Sequence, residues 1–290
     1  MRSVISFPDR GHWGNRNYRG NCSGHVQKSL IEQYQPRLFV DICEGGGTSK
    51  DVCAEMGIEY VGLDLRHGQD YTRDDILNQL TRPADMVFSH PAYHTAILYS
   101  GNMWGEADPR DHSRCETYEE FLEKSRVMLS NQREATKEGG IYTSLIGDIR
   151  KNGEFYSPQA DFIRMMPRNE LKSVTIKMQH NTWSGSKSYN KMKHPYIDHE
   201  YLLIFERTAK TLIQVSWDKA LELKREIAQT WRTLIRLVMM KLGEASLAKI
   251  YKEVELLAGP KLASNPSWKA KVRQTLQMHH NNVQRGVWAA

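Results

Sequence analysis

Long apolar runs are missing from this chain. No stretch of its 290 residues approaches the roughly 18 apolar residues of a membrane span, and the opening "MRSVISFPDRGHWGNRNYRG" has no apolar core of a signal peptide. The expectation is a cytoplasmic protein with no membrane partner. Cysteine is sparse: Cys22, Cys43, Cys53 and Cys115 form no Cys-x-x-Cys pair and stand at no zinc-type spacing from histidine. They read as reduced, mostly buried thiols, with no metal site. Repeats and low-complexity tracts are also lacking, which sets aside a solenoid. There is no Gly-Lys-Ser/Thr for a phosphate-gripping P-loop and no spaced Gly-x-Gly-x-x-Gly of the dinucleotide folds.

What is present suits one sizeable α/β core and a small second domain, with 40% of residues apolar and 26% charged. The net charge is +6. From Arg207 onward fifteen Lys and Arg face six Asp and Glu, so the positive charge is concentrated in the tail and points to a polyanionic partner.

The runs "LFVDIC", "SKDVCAEM", "EYVGLDL", "DDILNQL" and "DMVFSH" alternate strand and helix in the rhythm of a mostly parallel sheet. A long helix follows in "TYEEFLEKSRVMLSNQREATKEGG", with Phe121, Leu122, Val127, Met128 and Leu129 on its apolar face and Gly139-Gly140 as its stop. "IYTSLIGD", "LKSVTIKMQ" and "HEYLLIFER" read as further strands, with an irregular patch after the first. The expected division is a domain over 1–207, a linker helix over 208–229 and a small, mostly helical domain over 230–290. That last part reads as helix "TWRTLIRLVMMKL", turn "GEAS", helix "LAKIYKEVELLA", helix "SWKAKVRQTLQMHH" and a terminal strand pair, the order of a winged helix.

In "FVDICEGGGTSKDV" a strand ends near Asp41, and three glycines precede a helix opened by Thr48 or Ser49. Gly45 and Gly47 would let a ligand approach the backbone, and the helix N-terminus offers unpaired N–H groups. Roughly twenty residues later a second strand ends on Asp64, where a carboxylate can accept both ribose hydroxyls. Asp70 could reach an adenine amine. A nucleoside without a long phosphate chain fits, and S-adenosylmethionine is such a ligand.

Taken in order, "NYRGNCSGH", "VDICEGGG", "GLDL", "FSHPAY" and "HEYLLIFER" resemble the DNA amino-methyltransferases over about residues 10 to 207. The resemblance implies a Rossmann-like class I methyltransferase sheet, S-adenosylmethionine as cofactor, S-adenosylhomocysteine as product, and methylation of adenine N6, with cytosine N4 as the alternative. It places Asn21 and Ser23 at the methionine end of the cofactor, either of which could equally cap the helix that follows. It makes His90 and Pro91 acceptors for the amine, with Ser89 one residue earlier, and Tyr93 the ring that stacks on a flipped base. Ala92 stands where the family has a second proline, which leaves open a catalytically impaired, DNA-binding regulator or defence component. No Pro-Cys occurs, so carbon methylation of cytosine is not expected.

DNA is the expected partner, with a homodimer or a cognate restriction or defence partner as further ones. Trp183, Lys187, Tyr189, Lys191 and Lys193 mix aromatic and basic groups in one loop. In the tail, Trp268, Val272 and Leu276 form a packed face. Lys269, Lys271, Arg273, Gln274 and Gln277 are left outward as a recognition surface, with Arg285 on the wing.

Overall fold

The computed structural model describes residues 1–180, 194–208, 231–258, 260–263, 265–284 and 286–289. The chain divides into two compact units, Met1–Thr72 with Ile76–Lys210, and Thr211–Ala290 with Arg73–Asp75. Most of the expected linker, and Trp183, Lys187, Tyr189, Lys191, Lys193 and Arg285, lie outside the described residues.

The first unit is built on a seven-stranded sheet. Its strands are β1 (Val4–Ser6), β2 (Leu38–Asp41), β3 (Glu59–Gly62), β4 (Ala84–Ser89), β5 (Thr136–Ile146), β8 (Leu171–Met178) and β9 (His199–Glu206), while β6 (Ile149–Lys151) and β7 (Glu154–Tyr156) form a separate hairpin. The order is β1-β8-β9-β5-β4-β2-β3, and within this sheet β9 alone runs antiparallel to its neighbours. This is the α/β, Rossmann-like sheet expected from the sequence. Helices α1 (Gly24–Tyr34) and α2 (Thr48–Met56) bury Val26, Leu30, Val52 and Cys53 against Phe39, Met86, Phe88, Leu202 and Ile204. Helices α3 (Tyr118–Ala135) and α4 (Pro158–Met165) pack on β4, β5 and β9. Strands buried on both faces read as continuous apolar runs, as "DMVFS" and "YLLIF" do.

Several local expectations are corrected. Helix α3 ends at Ala135, four residues before Gly139. Thr136 is already extended, and β5 begins there. The glycines instead serve an irregularity in the β4–β5 ladder, where a Cβ on Gly140 would lie 3.0 Å from the Asp85 carbonyl. The buried stripe of α3 is Phe121, Ser125, Met128, Leu129 and Gln132, whereas Leu122 and Val127 are half-buried. "DDILNQL" yields only a single 3-10 turn at Ile76–Gln79, because so short a run does not repay the cost of nucleating an α-helix. The irregular patch after "IYTSLIGD" contains the β6–β7 hairpin and α4.

In the second unit, helices Trp231–Leu242, Leu247–Ala258 and Trp268–His279 enclose Leu234, Ile235, Val238, Ile250, Val254, Val272 and Leu276. "GEAS" is more than a turn. Glu244–Ser246 forms β10, which pairs with β12 (Val287–Ala289), and β12 pairs in turn with β11 (Asn281–Gln284). Three residues are too few for alternation to be legible. The pairing comes from a partner more than forty positions away.

One buried ion pair closes the first unit. Arg133 meets Glu170 at 2.6 Å and 2.5 Å, and Glu170 also accepts from the Tyr142 hydroxyl at 2.6 Å and the Thr208 amide at 2.9 Å. Burial pushes the Glu170 carboxyl up, but the Arg133 and Tyr142 donors outweigh it and hold it below its ordinary value. Its contribution is therefore present at neutral pH and lost as pH falls through that depressed value. Glu170→Ala, which takes from the buried guanidinium its closest carboxylate, should cost about 3–5 kcal/mol in urea unfolding at pH 7, and adding Arg133→Met should recover part of the loss.

Candidate active site

Strand order alone brings the glycine turn and the His-Pro-Ala-Tyr tip together. β2 continues through α2 to β3 on one side and pairs with β4 on the other, so a crevice opens beyond the carboxyl ends of β2 and β4. The Ile42 amide donates to the Phe88 carbonyl at 3.1 Å, two residues before His90. The resulting cleft encloses about 710 Å³ of empty space, its open mouth included, a size usual for cofactor sites. Of the catalytic and cofactor residues expected from sequence, Asn21, Asp41, Gly45, Thr48, Asp64, His90 and Pro91 line it.

At the glycine turn, Gly45 and Gly47 have φ of 51° and 79°, and a Cβ on Gly46 would fall 2.5 Å from Asn21 Nδ2. The segment before α1 lies directly over this turn. The Asn15 amide donates to the Gly46 carbonyl at 2.7 Å, and Asn21 Nδ2 donates to the Asn15 carbonyl at 2.5 Å. Asp64 receives the Gly45 amide on Oδ2 and the Arg66 amide on Oδ1, both at 2.8 Å, which fixes the carboxylate at the end of β3 while each oxygen keeps a further lone pair.

Asp41 is buried beneath the turn, taking the Cys43 amide at 2.8 Å and the Ser49 hydroxyl at 2.5 Å. Burial lifts its carboxyl to about 7 against those two bonds, with Asp64 and Glu44 adding to the rise. Gln27 Oε1 and Thr48 Oγ1 are buried at the same end of the cleft with no partner among the described residues. Two unmet polar atoms beside a helix N-terminus suit the amino-acid end of S-adenosylmethionine, and Asp64 suits its ribose. The residues present fit that cofactor.

Other expected positions lie elsewhere. Ser23 is the N-cap of α1, accepting from the His25 amide, and does not line the cleft. Asp70 accepts from the Thr72 amide and hydroxyl at 2.9 and 2.6 Å and does not line the cleft. Ser89 is fully buried on Ser144 Oγ at 2.7 Å and Gln132 Oε1 at 3.1 Å, a tie between β4, β5 and α3 turned away from the cleft. Gly47 caps α2. Tyr93 is half-buried beside the wall. Its hydroxyl donates to Glu200 Oε1 at 2.9 Å and meets His90 Nε2 at 2.9 Å, and a Cβ on Gly147 would come 2.7 Å from the ring. The next residue, His94, holds a left-handed φ of 48°, a conformation uncommon outside glycine.

The cleft also contains residues that sequence reading missed. Tyr18, Tyr71, Tyr99 and Trp104 supply its aromatic surface, and Glu44, Asp111 and His112 its remaining charge and polarity. Tyr71 Oη meets His112 Nδ1 at 2.8 Å, and burial draws the His112 ring down to about 4. The stretch that holds Tyr99, Trp104, Asp111 and His112, "LYSGNMWGEADPRDHSRCE", carries no motif of its own, because its folding depends on local ties such as the Ser100 amide to Asp111 at 2.7 Å. In the second unit, Lys269, Lys271, Arg273, Gln274 and Gln277 are all exposed on the helix Trp268–His279, while Val272 and Leu276 are fully buried.

No family model and no curated protein matches this chain. Among solved structures, it is similar to an S-adenosylmethionine-dependent methyltransferase from Archaeoglobus fulgidus, at 14% identity over 65% of this chain and 96% of that one, TM-score 0.39. It is similar to TehB from Haemophilus influenzae at 9% identity over 63% of this chain, TM-score 0.38. The likeness spans 62% of that protein, less than two thirds of its length. A Thermus thermophilus protein proposed to be a DNA modification methylase is similar at 12% identity over 70% of this chain and 73% of that one, TM-score 0.34. These likenesses concern the fold and carry no argument about substrate or residues.

Because the folded Asp41 titrates near 7 and an unfolded aspartate near 4, the native state holds the extra proton between those values, and stability should fall as pH rises from about 4 to about 7. In Asp41→Asn that part of the slope should vanish, as read by urea unfolding at pH 5 and pH 7.5.

Proposed function

We propose that this protein transfers a methyl group from S-adenosylmethionine to the exocyclic amine of a base turned out of DNA, adenine N6 ahead of cytosine N4. The observation that carries this reading is the placement of His90 and Pro91 in the same cleft as the glycine turn and Asp64. A polar acceptor held on a proline turn, across from a nucleoside site, is what amine methylation needs. Bound there, the cofactor supplies the methyl group and leaves as S-adenosylhomocysteine.

The rest is done by the chain's own groups. Asp64 would hold the ribose, while Gln27, Thr48 and the start of α2 hold the amino-acid end. An aromatic amine is a poor nucleophile because its lone pair is shared with the ring. A ring nitrogen of His90 and the carbonyl before Pro91 would each accept an amine N–H, which favours the pyramidal, nucleophilic form. His90 can do so because it is neutral: burial pulls its ring to about 4, against the opposing pull of Glu200. The amine gives up one proton in exchange for the methyl group, and His90 lies next to it to pass that proton to solvent. Tyr93, whose ring lies close against Gly147, would stack on the base.

Apart from the four-residue helix Pro260–Ala263, the helix, strand, helix, helix, strand, strand order of the second unit's described residues supports a winged helix. Its exposed basic third helix would lie on DNA, with Lys269 and Lys271 on phosphates.

With labelled cofactor and unmethylated genomic DNA, digestion to nucleosides should release methyladenine, in lower yield or none from His90→Ala. Binding of DNA and cofactor with no labelled base, from this chain and from Ala92→Pro alike, would replace the enzyme with a regulator. Lys269→Ala with Lys271→Ala should weaken DNA binding uniformly across sequences and reduce the slope of log affinity against log salt by about 2.

A further inference from the structure

Behind His90 lies a chain of buried polar groups that the transfer chemistry alone does not require. Lys177 and Glu200 face each other in register across β8 and β9, both nearly fully buried, with Nζ 2.7 Å from Oε2. The other oxygen of Glu200 lies 2.9 Å from the Tyr93 hydroxyl, which lies 2.9 Å from His90 Nε2. Four side chains from β8, β9 and the tip after β4 thus form one line ending in the cleft wall.

Counting protons along that line leaves one arrangement. Burial works to raise the Glu200 carboxyl, but Lys177 outweighs it and keeps the group ionised, so Glu200 can only accept. The single Tyr93 proton therefore goes to Glu200, and the phenol oxygen turns only lone pairs toward His90. Nε2 must then carry the imidazole hydrogen. A neutral imidazole has one, so Nδ1 is left bare. The charged and titratable groups around the ring are Glu200 and Lys177 from β9 and β8, Tyr93 beside it, and the Cys43 thiol, which bonds the His90 backbone.

We propose that Lys177 and Glu200 are positioning residues which, through the Tyr93 hydroxyl, fix His90 in its Nε2–H tautomer and so make Nδ1 an obligate acceptor for the amine of the substrate base. This rests on the amine-methylation reading for its purpose, though not for its geometry. An aspartate or asparagine in the place of His90 would need no such device, since its carboxylate or carbonyl accepts in any state. A histidine accepts on the right nitrogen only if something chooses its tautomer.

Glu200→Gln reverses the line. The amide carbonyl turns to Lys177, its NH2 donates to Tyr93, and Tyr93 donates to His90 Nε2, which moves the imidazole hydrogen to Nδ1. Nitrogen NMR of ring-labelled protein reads this directly, because protonated and bare ring nitrogens resonate far apart. The expected result is Nε2–H in the unaltered protein and Nδ1–H in Glu200→Gln, with methyl transfer down about 10- to 100-fold, the equivalent of one hydrogen bond to a developing charge, and cofactor affinity unchanged. In a His90→Asn background, where no tautomer exists, Glu200→Gln should change the rate by less than about threefold. Nδ1–H in the unaltered protein, or an equal loss of rate from Glu200→Gln in both backgrounds, overturns the proposal. A protein that shows Nε2–H but methylates no base would overturn the amine reading and leave the tautomer lock standing.

Discussion

The antiparallel setting of β9 is the constraint on which the site depends. Every other strand of the sheet brings its last residues to the edge where the cleft opens, whereas β9, running the opposite way between β5 and β8, brings its first. His199 and Glu200 thereby stand beside Lys177 and Met178 at the end of β8 and within reach of the tip after β4. A buried carboxylate and ammonium are costly to desolvate, and neither would persist at this depth without the other. Tyr93 completes the satisfaction of Glu200, and the turn carrying it is held so tightly that His94 accepts a left-handed backbone.

The electrostatics of the cleft are consistent with a cationic occupant. Asp41, Glu44, Asp64 and Asp111 all line it. Such a wall suits a sulfonium and its ammonium and disfavours a polyphosphate, in keeping with the absent P-loop. The mutual repulsion of these carboxylates adds to burial in lifting Asp41, so the group beneath the glycine turn gives up part of its charge. Phosphates of a nucleic acid would find no welcome among them, and the basic residues of the helix Trp268–His279 lie in a different unit.

Much of this was legible in the residues, and the limits have physical causes. Strands β2, β4, β5 and β9 announce themselves as apolar runs because both faces of the sheet are covered there, while β3 and β8 show as shorter β-rich runs. Asp41, Asp64 and the glycine turn are legible because strand ends and positive φ demand particular residue types. His90 and Pro91 stand out as a tip following a buried strand. Short elements were not legible: β1 and β10 take their form from partners distant in sequence, and the three-residue strands of the β6–β7 hairpin are too short to show alternation. Glu200 and Lys177 also escaped notice, since a charged residue inside "TIKMQ" or "HEYLL" looks like the outward half of an alternation until the register places the two face to face. Ser23 was readable as cap or contact, and its bond to the His25 amide makes it a cap. Gly139-Gly140, which reads as a helix stop, belongs to a kink inside a strand.

The segment that crosses the glycine turn is fastened to it by a main-chain bond and a side-chain bond. Because the Asn15 amide grips the Gly46 carbonyl and Asn21 closes on Asn15, the segment is part of the same hydrogen-bonded fabric as the turn below it. The exchange of one backbone amide, that of Asn15, is therefore a built-in gauge of how often the segment parts from the turn.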